Sequence, residues 1–239
     1  REAAAGAALT EEEIAGCAAH LGLAGILSDA DAVAMAAALP FARVTVTDDR
    51  PTAIAGALGD GNGVLAAVGT GTFVAARRDG ATRSFGGWGF RLGDQASGAW
   101  LGRGALERCL LMQDGLAAPS DLTRALLARF DGDSTAIVAF AREARPADYA
   151  ALAPDVFDAA EAGDANATRL VERGASYLNA CIAASELRDG DVLCLTGGLG
   201  PRYAPHLNER ARLRPPQGTA LDGALAMARA AQGMLETTP

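Results

Sequence analysis

Glycine-rich turns at the ends of short apolar strands constrain the fold of this chain more than any other feature. The segment GTGT at residues 69–72 lies between two apolar runs, and TGGLG at residues 196–200 follows the run DVLCL. The run RVTVTDD at residues 43–49 alternates β-branched residues with others, as strands do. Strand patterns dominate the first part of the chain, and helical spacing dominates the second. These patterns predict an α/β fold in which a sheet carries the loops.

Apolar spacing and capping residues predict the helices. Apolar residues recur at helical spacing through residues 165–187, and the capping-box pair Thr10 and Glu13 predicts a helix over residues 11–19. The small residues at 218–224 open a last helix, and we expect them to serve close packing rather than nucleotide binding. A further helix is predicted at about 29–39, and the last helix covers about 219–235. Strands are predicted at 21–26 and 191–198.

Composition excludes several classes of function. Half of the 239 residues are apolar, yet no stretch reaches the roughly 18 uninterrupted apolar residues of a membrane-spanning helix. The opening residues lack a signal-peptide pattern, so we expect a soluble cytoplasmic protein without a membrane partner. The formal net charge of −8, with dispersed arginines, argues against a nucleic-acid partner. All 21 basic residues are arginine, which excludes a P-loop lysine and Schiff-base chemistry.

Cysteine and histidine usage points away from metal and triad chemistry. The four cysteines, Cys17, Cys109, Cys181 and Cys194, are far apart and form no CxxC pair. We therefore expect buried free thiols, with neither a zinc site nor an iron–sulfur site. Neither of the two histidines lies near a nucleophile in the pattern of a hydrolase triad. No metal-ligating residue is predicted.

Two adjacent carboxylates, Asp48 and Asp49, end the strand predicted at residues 43–49. A carboxylate at a strand end beside a loop is partly desolvated and directed into a cleft, as a general base for a hydroxyl group must be. Asp49 is the candidate base. One of two adjacent strand-end carboxylates usually faces solvent or caps the next helix, and we expect this of Asp48.

The turn at residues 69–72 suits phosphate binding. Glycines permit a tight turn whose bare amides can approach phosphate oxygens, and threonine hydroxyls add donors. An ordinary hairpin turn stays open as the alternative. The turn is not a dinucleotide fingerprint, because the third glycine and the strand-to-helix context are missing. The four candidate residues are Gly69, Thr70, Gly71 and Thr72.

The most unusual stretch of the chain is GGWGFRLGDQASG at residues 86–98. Dense glycines around one tryptophan suggest a loop whose backbone passes close to a ligand. Asp94 is expected to start a helix while offering two acceptor oxygens to ligand hydroxyls. The alternative makes Asp94 a plain helix cap and Trp88 a core residue. The third turn, at residues 196–200, lies at the carboxyl end of a strand, which is a frequent nucleotide position.

The ordered series VTDD, GTGT, FGGWGFRLGD, TGGL and GTALDGA resembles the BadF/BadG/BcrA/BcrD-type branch of the actin-like superfamily. Within that branch it is most similar to the N-acetylglucosamine and glucosamine kinases. The resemblance spans roughly residues 20–235. It implies a two-lobed actin-like ATPase fold of the ribonuclease H-like type. We expect residues 1–59 to form the remainder of the N-terminal lobe, whose first part is absent, and residues 60–239 to form the C-terminal lobe.

The resemblance also implies a reaction and its residues. Asp49 would accept the proton of the sugar 6-hydroxyl as it attacks the γ-phosphorus of ATP, with Mg²⁺ as the second cofactor. The turn at residues 69–72 would bind phosphates. Sugar binding would fall to Gly87, Trp88, Gly89 and Asp94. The adenosine would lie against Gly197, Gly198 and Leu199. The implied partners are an amino sugar and ATP, and a homodimer stays open.

Three departures from the family pattern matter, the first for activity and the other two for the identity of the sugar. The family's first phosphate loop, a glycine-rich hairpin near the N-terminus, does not occur, so the chain is expected to be truncated or to lack residues. The usual Asp-Glu-Gly-Ser appears as residues 94–97 (DQAS), which removes one carboxylate and one glycine. An asparagine common after the second phosphate loop is Phe73. The choice between N-acetylglucosamine and glucosamine therefore stays open.

Two other functions compete. One is an activator ATPase of the same branch, which would hold an iron–sulfur cluster at a dimer interface; the four dispersed cysteines disfavour it. The other is a catalytically silent binding protein for a sugar or nucleotide, and the presence of Asp49 weighs against that.

Overall fold

The computed structural model describes residues 10–236, which divide into two compact units. Residues 10–61 and 215–236 form the first unit, and Asn62–Arg214 form the second. The first unit contains α1 (Glu11–Gly16), β1 (Ala18–Gly22), α2 (Asp29–Ala37), β2 (Arg43–Thr47), α3 (Asp49–Leu58) and α11 (Ala220–Glu236). The second contains β3 (Gly63–Val68), β4 (Thr72–Arg78), β5 (Ala81–Gly86), α4 (Gly98–Gln113), α5 (Asp121–Ala128), α6 (Ser134–Glu143), α7 (Pro146–Ala150), α8 (Ala153–Glu161), α9 (Ala165–Ala184), β6 (Val192–Thr196) and α10 (Gly200–Tyr203).

In the first unit, β1 and β2 pair in parallel, from Ala18 opposite Arg43 to Gly22 opposite Thr47. The predicted strand at residues 21–26 is shifted towards the N-terminus in the structure. The reason is the register: β2 ends at Thr47, so pairing cannot extend further along β1. The predicted Thr10–Glu13 capping box is present at the start of α1, although this helix ends earlier than predicted.

The last helix, α11, packs against α3 in the first unit. The two helices approach closely at glycines: a Cβ on Gly56 would overlap the Thr219 carbonyl, and one on Gly223 would overlap the Thr52 carbonyl. Small residues at the start of α11 therefore serve packing, as expected. The sequence-based division assigned residues 215–236 to the second lobe, whereas the structure groups them with the first unit.

The second unit is built on a four-stranded sheet in the order β5-β4-β3-β6. β3 and β4 form an antiparallel hairpin, β5 continues it antiparallel to β4, and β6 pairs with β3 in parallel. One face of the sheet carries Val64, Ala66, Val68, Val74 and Ala76, which pack with the helices into one apolar cluster. Burying each large apolar side chain contributes about 1.5–3 kcal/mol, so this cluster dominates the stability of the unit.

The helix α9 confirms the clearest periodicity in the sequence. Its residues Leu170, Val171, Leu178 and Ile182 are all buried at helical spacing. Asp164 caps its start by accepting hydrogen bonds from two backbone amides. The helix ends at Ala184, earlier than the predicted 187, because the chain turns through a left-handed residue just beyond it.

Arg78 ties the sheet to the end of α9. Its guanidinium donates to the Asp191 carboxylate at 2.6 Å and to the Ser185 carbonyl at 2.8 Å, and it also donates to the Glu186 carbonyl. The Asp191 side chain is 6% exposed, so its charge is largely withdrawn from water. Removing Arg78 would leave a buried carboxylate without its cation, which is a costly defect.

Candidate functional site

Strand register gathers the glycine-rich motifs at one edge of the four-stranded sheet. Gly86, which ends β5, lies opposite Phe73 in β4. Phe73 lies opposite Ala67 in β3, and Ala67 lies opposite Thr196, which ends β6. Three loops leave this one edge: residues 69–71, residues 87–97 and residues 197–199. The sheet therefore brings together motifs that are more than a hundred residues apart in the sequence.

The turn between β3 and β4 is fixed through its carbonyl groups. The Gly69 amide donates to the Gly71 carbonyl at 2.9 Å. The Gly69 carbonyl accepts from the Gly98 amide at 2.8 Å, and the Thr70 carbonyl accepts from the Ala99 amide at 3.2 Å. Within residues 10–236 the amides of Thr70 and Gly71 donate to no recorded acceptor. The turn thus presents unused N–H groups on a rigid backbone, which suits an anion.

The two threonines of this turn differ in accessibility. Thr70 is exposed, whereas Thr72 is only 3% exposed. The buried Thr72 hydroxyl has no hydrogen-bond partner among the residues that the structure describes. Of the two hydroxyls, only that of Thr70 is open to a ligand, whereas the Thr72 amide acts on Asp94, whose pKa it lowers.

Asp94 lies against the turn rather than on a separate surface. Its carboxylate accepts a hydrogen bond from the Gly89 amide at 3.2 Å, and the Thr72 amide also acts to lower its pKa. A Cβ on Gly71 would lie 3.0 Å from Asp94 Oδ2. Asp94 is 8% exposed, and this burial raises the pKa of its carboxyl, although the two amides act in the opposite direction. The sugar loop and the phosphate turn expected from the sequence therefore share one carboxylate.

The structure corrects the expectation that Asp94 starts a helix. Asp94 has a left-handed backbone, with φ 57°, and precedes the helix. The cap of α4 is Ser97, whose hydroxyl accepts from the Trp100 amide at 3.1 Å. The plain-cap alternative for Asp94 is therefore wrong. A strained backbone that places a buried carboxylate against a turn is typical of functional sites.

The loop before Asp94 holds its tryptophan outward. Gly86, Gly87 and Gly89 all have positive φ, between 70° and 81°, which other residues adopt only with strain. The Gly87 backbone passes close to Phe73, because a Cβ on Gly87 would lie 3.2 Å from that of Phe73. Trp88 is 77% exposed. The alternative that made Trp88 a core residue is wrong.

Tyr177 in α9 is a further residue of this region that the motifs did not reveal. Its hydroxyl lies against Gly86, where an added Cβ would overlap it. Burial, the neighbouring Cys181 thiol and the charge of Asp94 raise the pKa of the Tyr177 hydroxyl. The apolar stripe of α9 predicts that Tyr177 packs in the core. Its hydroxyl group was the one sequence signal that could have indicated a polar role.

The turn after β6 is attached to the end of β3. The Leu199 amide donates to the Val68 carbonyl at 3.0 Å, and a Cβ on Gly197 would overlap that same carbonyl. Gly197 has φ 80°, so both its backbone and its surroundings require glycine. Gly198 is exposed with open space beside it, whereas Leu199 is buried. Gly197 is exposed as well, so the two glycines of this turn are open to a ligand and Leu199 is not.

The carboxylates at the end of β2 take different roles. Asp48 caps α3: its Oδ1 accepts from the Arg50 amide at 2.9 Å and from Arg50 Nε at 2.8 Å. The hydrogen bond from the Arg50 guanidinium lowers the pKa of Asp48. Asp49 is the first residue of α3 and is exposed, and its carboxylate makes no recorded hydrogen bond or ion pair within residues 10–236. The capping expected of Asp48 is confirmed, but the strand ends at Thr47, before Asp49.

Metal ligation has little support in the described part of the chain. Residues 10–236 contain no group of three or more His, Cys, Asp or Glu side chains placed to hold a metal ion. Cys109, Cys181 and Cys194 are buried, as expected, whereas Cys17 is exposed, and none of these four described cysteines forms a disulfide. In the same residues no helix is long and apolar enough to cross a membrane.

Comparisons with known proteins agree with this architecture. The chain is 31% identical over 196 residues to glucosamine kinase GspK of Vibrio cholerae serotype O1, covering 81% of this chain and 67% of that protein. A Chromobacterium violaceum structure, described as a candidate N-acetylglucosamine kinase, superposes with a TM-score of 0.86 at 37% identity, covering 94% of this chain and 80% of that one. A ROK family glucokinase from Streptomyces griseus gives a TM-score of 0.50 at 18% identity, covering 80% and 69%, and shares the fold alone.

These neighbours confirm the expected actin-like sugar kinase fold. The family model of the BadF/BadG/BcrA/BcrD ATPases matches residues 1–207, which is most of the chain. The match includes the turn at residues 69–72, the loop at residues 86–98 and the turn at residues 196–200. The chain therefore belongs to the BadF/BadG/BcrA/BcrD ATPase family.

Proposed function

We propose that the protein is an ATP-dependent amino-sugar kinase that phosphorylates the 6-hydroxyl of N-acetylglucosamine or glucosamine. The observation that carries the proposal is the gathering of three glycine-rich loops at one sheet edge, with the Asp94 carboxylate against the turn at residues 69–72. Similarity to glucosamine kinase GspK and to a candidate N-acetylglucosamine kinase supports the same substrate class.

The loops fit a nucleotide through their backbone. The unused amides of Thr70 and Gly71, with the exposed Thr70 hydroxyl, would donate to phosphate oxygens. The open backbone at Gly198 would lie beside the adenosine, and Gly197 would keep that turn in place. ATP supplies the phosphoryl group. Mg²⁺ is held largely by phosphates and water in such sites, so few protein ligands are needed for it.

In this proposal Asp49 is the general base. Its carboxylate is exposed and makes no recorded hydrogen bond within residues 10–236, so it can accept the proton of the sugar 6-hydroxyl. As that proton leaves, the oxygen forms a bond to the γ-phosphorus and the bond to the ADP oxygen breaks. Asp48 cannot take this role as readily, because Arg50 already occupies its carboxylate.

Asp94 binds the sugar in its ground state. The Gly89 amide holds its carboxylate, and the remaining acceptor capacity would serve ring hydroxyls. Gly87 and Gly89 would let the loop backbone approach the sugar, with Trp88 beside it as an exposed apolar surface. A cytoplasmic location, a homodimer and the absence of a nucleic-acid partner stay predictions.

The test is a coupled ADP-release assay with Mg·ATP. Glucosamine, N-acetylglucosamine, glucose, N-acetylmannosamine and a sugar-free blank are compared, with Asp49→Asn as the control. We expect sugar-dependent ADP release that is lost in the variant, and the preferred sugar names the substrate. Sugar-independent hydrolysis would instead indicate an activator ATPase. No turnover at all, with sugar or nucleotide still bound in calorimetry, would indicate a silent binding protein.

A further inference from the structure

A short hydrogen-bond chain in the first unit leads to the peptide that carries Asp49. His20 Nε2 lies 3.2 Å from Thr47 Oγ1, and Thr47 Oγ1 donates to the Asp48 carbonyl at 2.8 Å. His20 belongs to β1, and Thr47 ends the neighbouring strand β2. The Asp48 carbonyl is part of the peptide bond to Asp49. These hydrogen bonds therefore connect strand β1 to the carbonyl group that directly precedes the proposed base.

The direction of this chain follows from proton counting. The Thr47 hydroxyl has one proton, which it gives to the Asp48 carbonyl, so it can only accept from His20. His20 Nε2 must therefore carry a proton. Both the neutral Nε2–H tautomer and the imidazolium meet this requirement, so the chain survives protonation of the ring.

These hydrogen bonds lie where the backbone changes direction. β2 ends at Thr47, Asp48 has an extended backbone, and α3 begins at Asp49. The Asp48–Asp49 peptide is the covalent link between the end of the strand and the start of α3. The Asp48 side chain fixes the helix side of this junction through the Arg50 amide, and the Thr47 hydroxyl fixes the carbonyl side.

We propose that His20 and Thr47 are positioning residues for the general base Asp49. By holding the Asp48–Asp49 peptide, they set the point from which the Asp49 carboxylate reaches its substrate. Phosphoryl transfer depends on placement, and small displacements of a catalytic group lower the rate steeply. The inference rests on the proposed role of Asp49.

Thr47→Val is the direct test, because it keeps the shape of the side chain and removes the hydroxyl. We expect kcat to fall about three- to tenfold, as a misplaced base would cause, with both KM values within about twofold of wild type. Thr47→Ser retains the hydroxyl and should restore most of kcat. The matched control is Thr45→Val on the same strand: Thr45 is exposed, pairs with His20 in register and makes no recorded side-chain hydrogen bond.

His20 is tested in the same way. His20→Gln can keep an N–H donor and should lose less kcat than His20→Leu. Because both residues act through one chain, the double variant His20→Leu, Thr47→Val should be no slower than the slower single variant, so the effects should not add. Unchanged kcat in Thr47→Val, equal loss in Thr45→Val, or fully additive losses would overturn the inference.

Asp49→Asn measured alongside separates the two proposals. If Asp49→Asn retains wild-type turnover, the base assignment itself fails. If Asp49→Asn is inactive while Thr47→Val matches wild type, only the positioning role fails. Thermal unfolding of each variant shows whether a loss of rate follows from a loss of fold.

Discussion

The two carboxylates assigned to the reaction occupy opposite environments in the two units. Asp49 opens a helix, is exposed and makes no recorded hydrogen bond through its carboxylate within residues 10–236, whereas Asp94 is buried, has a left-handed backbone and accepts a hydrogen bond from the Gly89 amide. A base must exchange a proton and therefore cannot be saturated by fixed donors. A binding carboxylate benefits from being held in one orientation. The environment of each residue thus predicts its kinetic role.

The largest effect expected from this comparison is on turnover. Asp49→Asn removes the proton acceptor and keeps the size of the side chain, so kcat should fall on the order of 100-fold or more while sugar affinity stays nearly constant. ADP release at saturating sugar gives kcat, and calorimetry gives the affinity.

The matched control for this variant is Asp48→Asn, the same chemical change one residue earlier. Asparagine still caps a helix, so the loss should be confined to the ion pair with Arg50, with kcat within about threefold of wild type. If both variants lose turnover equally, or neither does, the assignment of roles to the two carboxylates is wrong.

A smaller effect, on binding, is expected at the buried carboxylate. Asp94→Ala should weaken sugar binding by about 1.5 to 3 kcal/mol, the range for hydrogen bonds to a charged group. The change should appear as a higher sugar KM with a smaller loss of kcat. Steady-state kinetics over a range of sugar concentrations measures both. If only the melting temperature falls and sugar affinity is preserved, Asp94 merely holds the loop.

The smallest expected effect is a pH dependence of sugar affinity that comes from Asp94. Burial raises the pKa of Asp94, so its proton is retained to a higher pH in the folded protein than in the unfolded chain. Sugar affinity should therefore decline as the pH falls through this raised pKa, above the ordinary aspartate value of about 3.9. Calorimetric titrations of the Asp49→Asn protein between about pH 4.5 and 7.5 measure this without turnover.

The stability of the protein should respond in the opposite sense. Below the ordinary pKa of aspartate, Asp94 is protonated in both the folded and the unfolded protein, and its burial carries no charge penalty. The free energy of unfolding should then decrease as the pH rises from this ordinary pKa to the raised pKa of the folded protein, because Asp94 becomes ionised while buried. Introducing Asp94→Asn should abolish both pH dependences. A pH-independent sugar affinity, or the same dependence with asparagine at this position, would exclude Asp94 as the titrating group.

Much of the fold was predictable because local patterns determined it. The capping box at Thr10, the apolar stripe of α9 and the glycine turn between β3 and β4 each depend on residues close in sequence. Boundaries that depend on distant partners were less predictable. The end of β1 is set by where β2 stops, and α11 joins the first unit because its Gly223 packs closely against Gly56 of α3.

The candidate site shows the same division. The sequence singled out Asp49, Asp94 and the three glycine-rich segments, because carboxylates at element ends and clustered glycines are local signals. It did not reveal that Asp94 contacts the turn at residues 69–72, nor that Tyr177 lies beneath Gly86. Those contacts join residues far apart in the chain, and no local pattern encodes them.

The sequence by itself determined which residues can do chemistry and which turns can expose their backbone, since both follow from side-chain type and from the freedom of glycine. Only the tertiary structure decided how they are used. Strand register aligned the three loops at one edge, burial raised the pKa of Asp94, and Asp48 rather than Asp49 became the cap of α3. Each of these depends on neighbours that folding, rather than chain order, brings into contact.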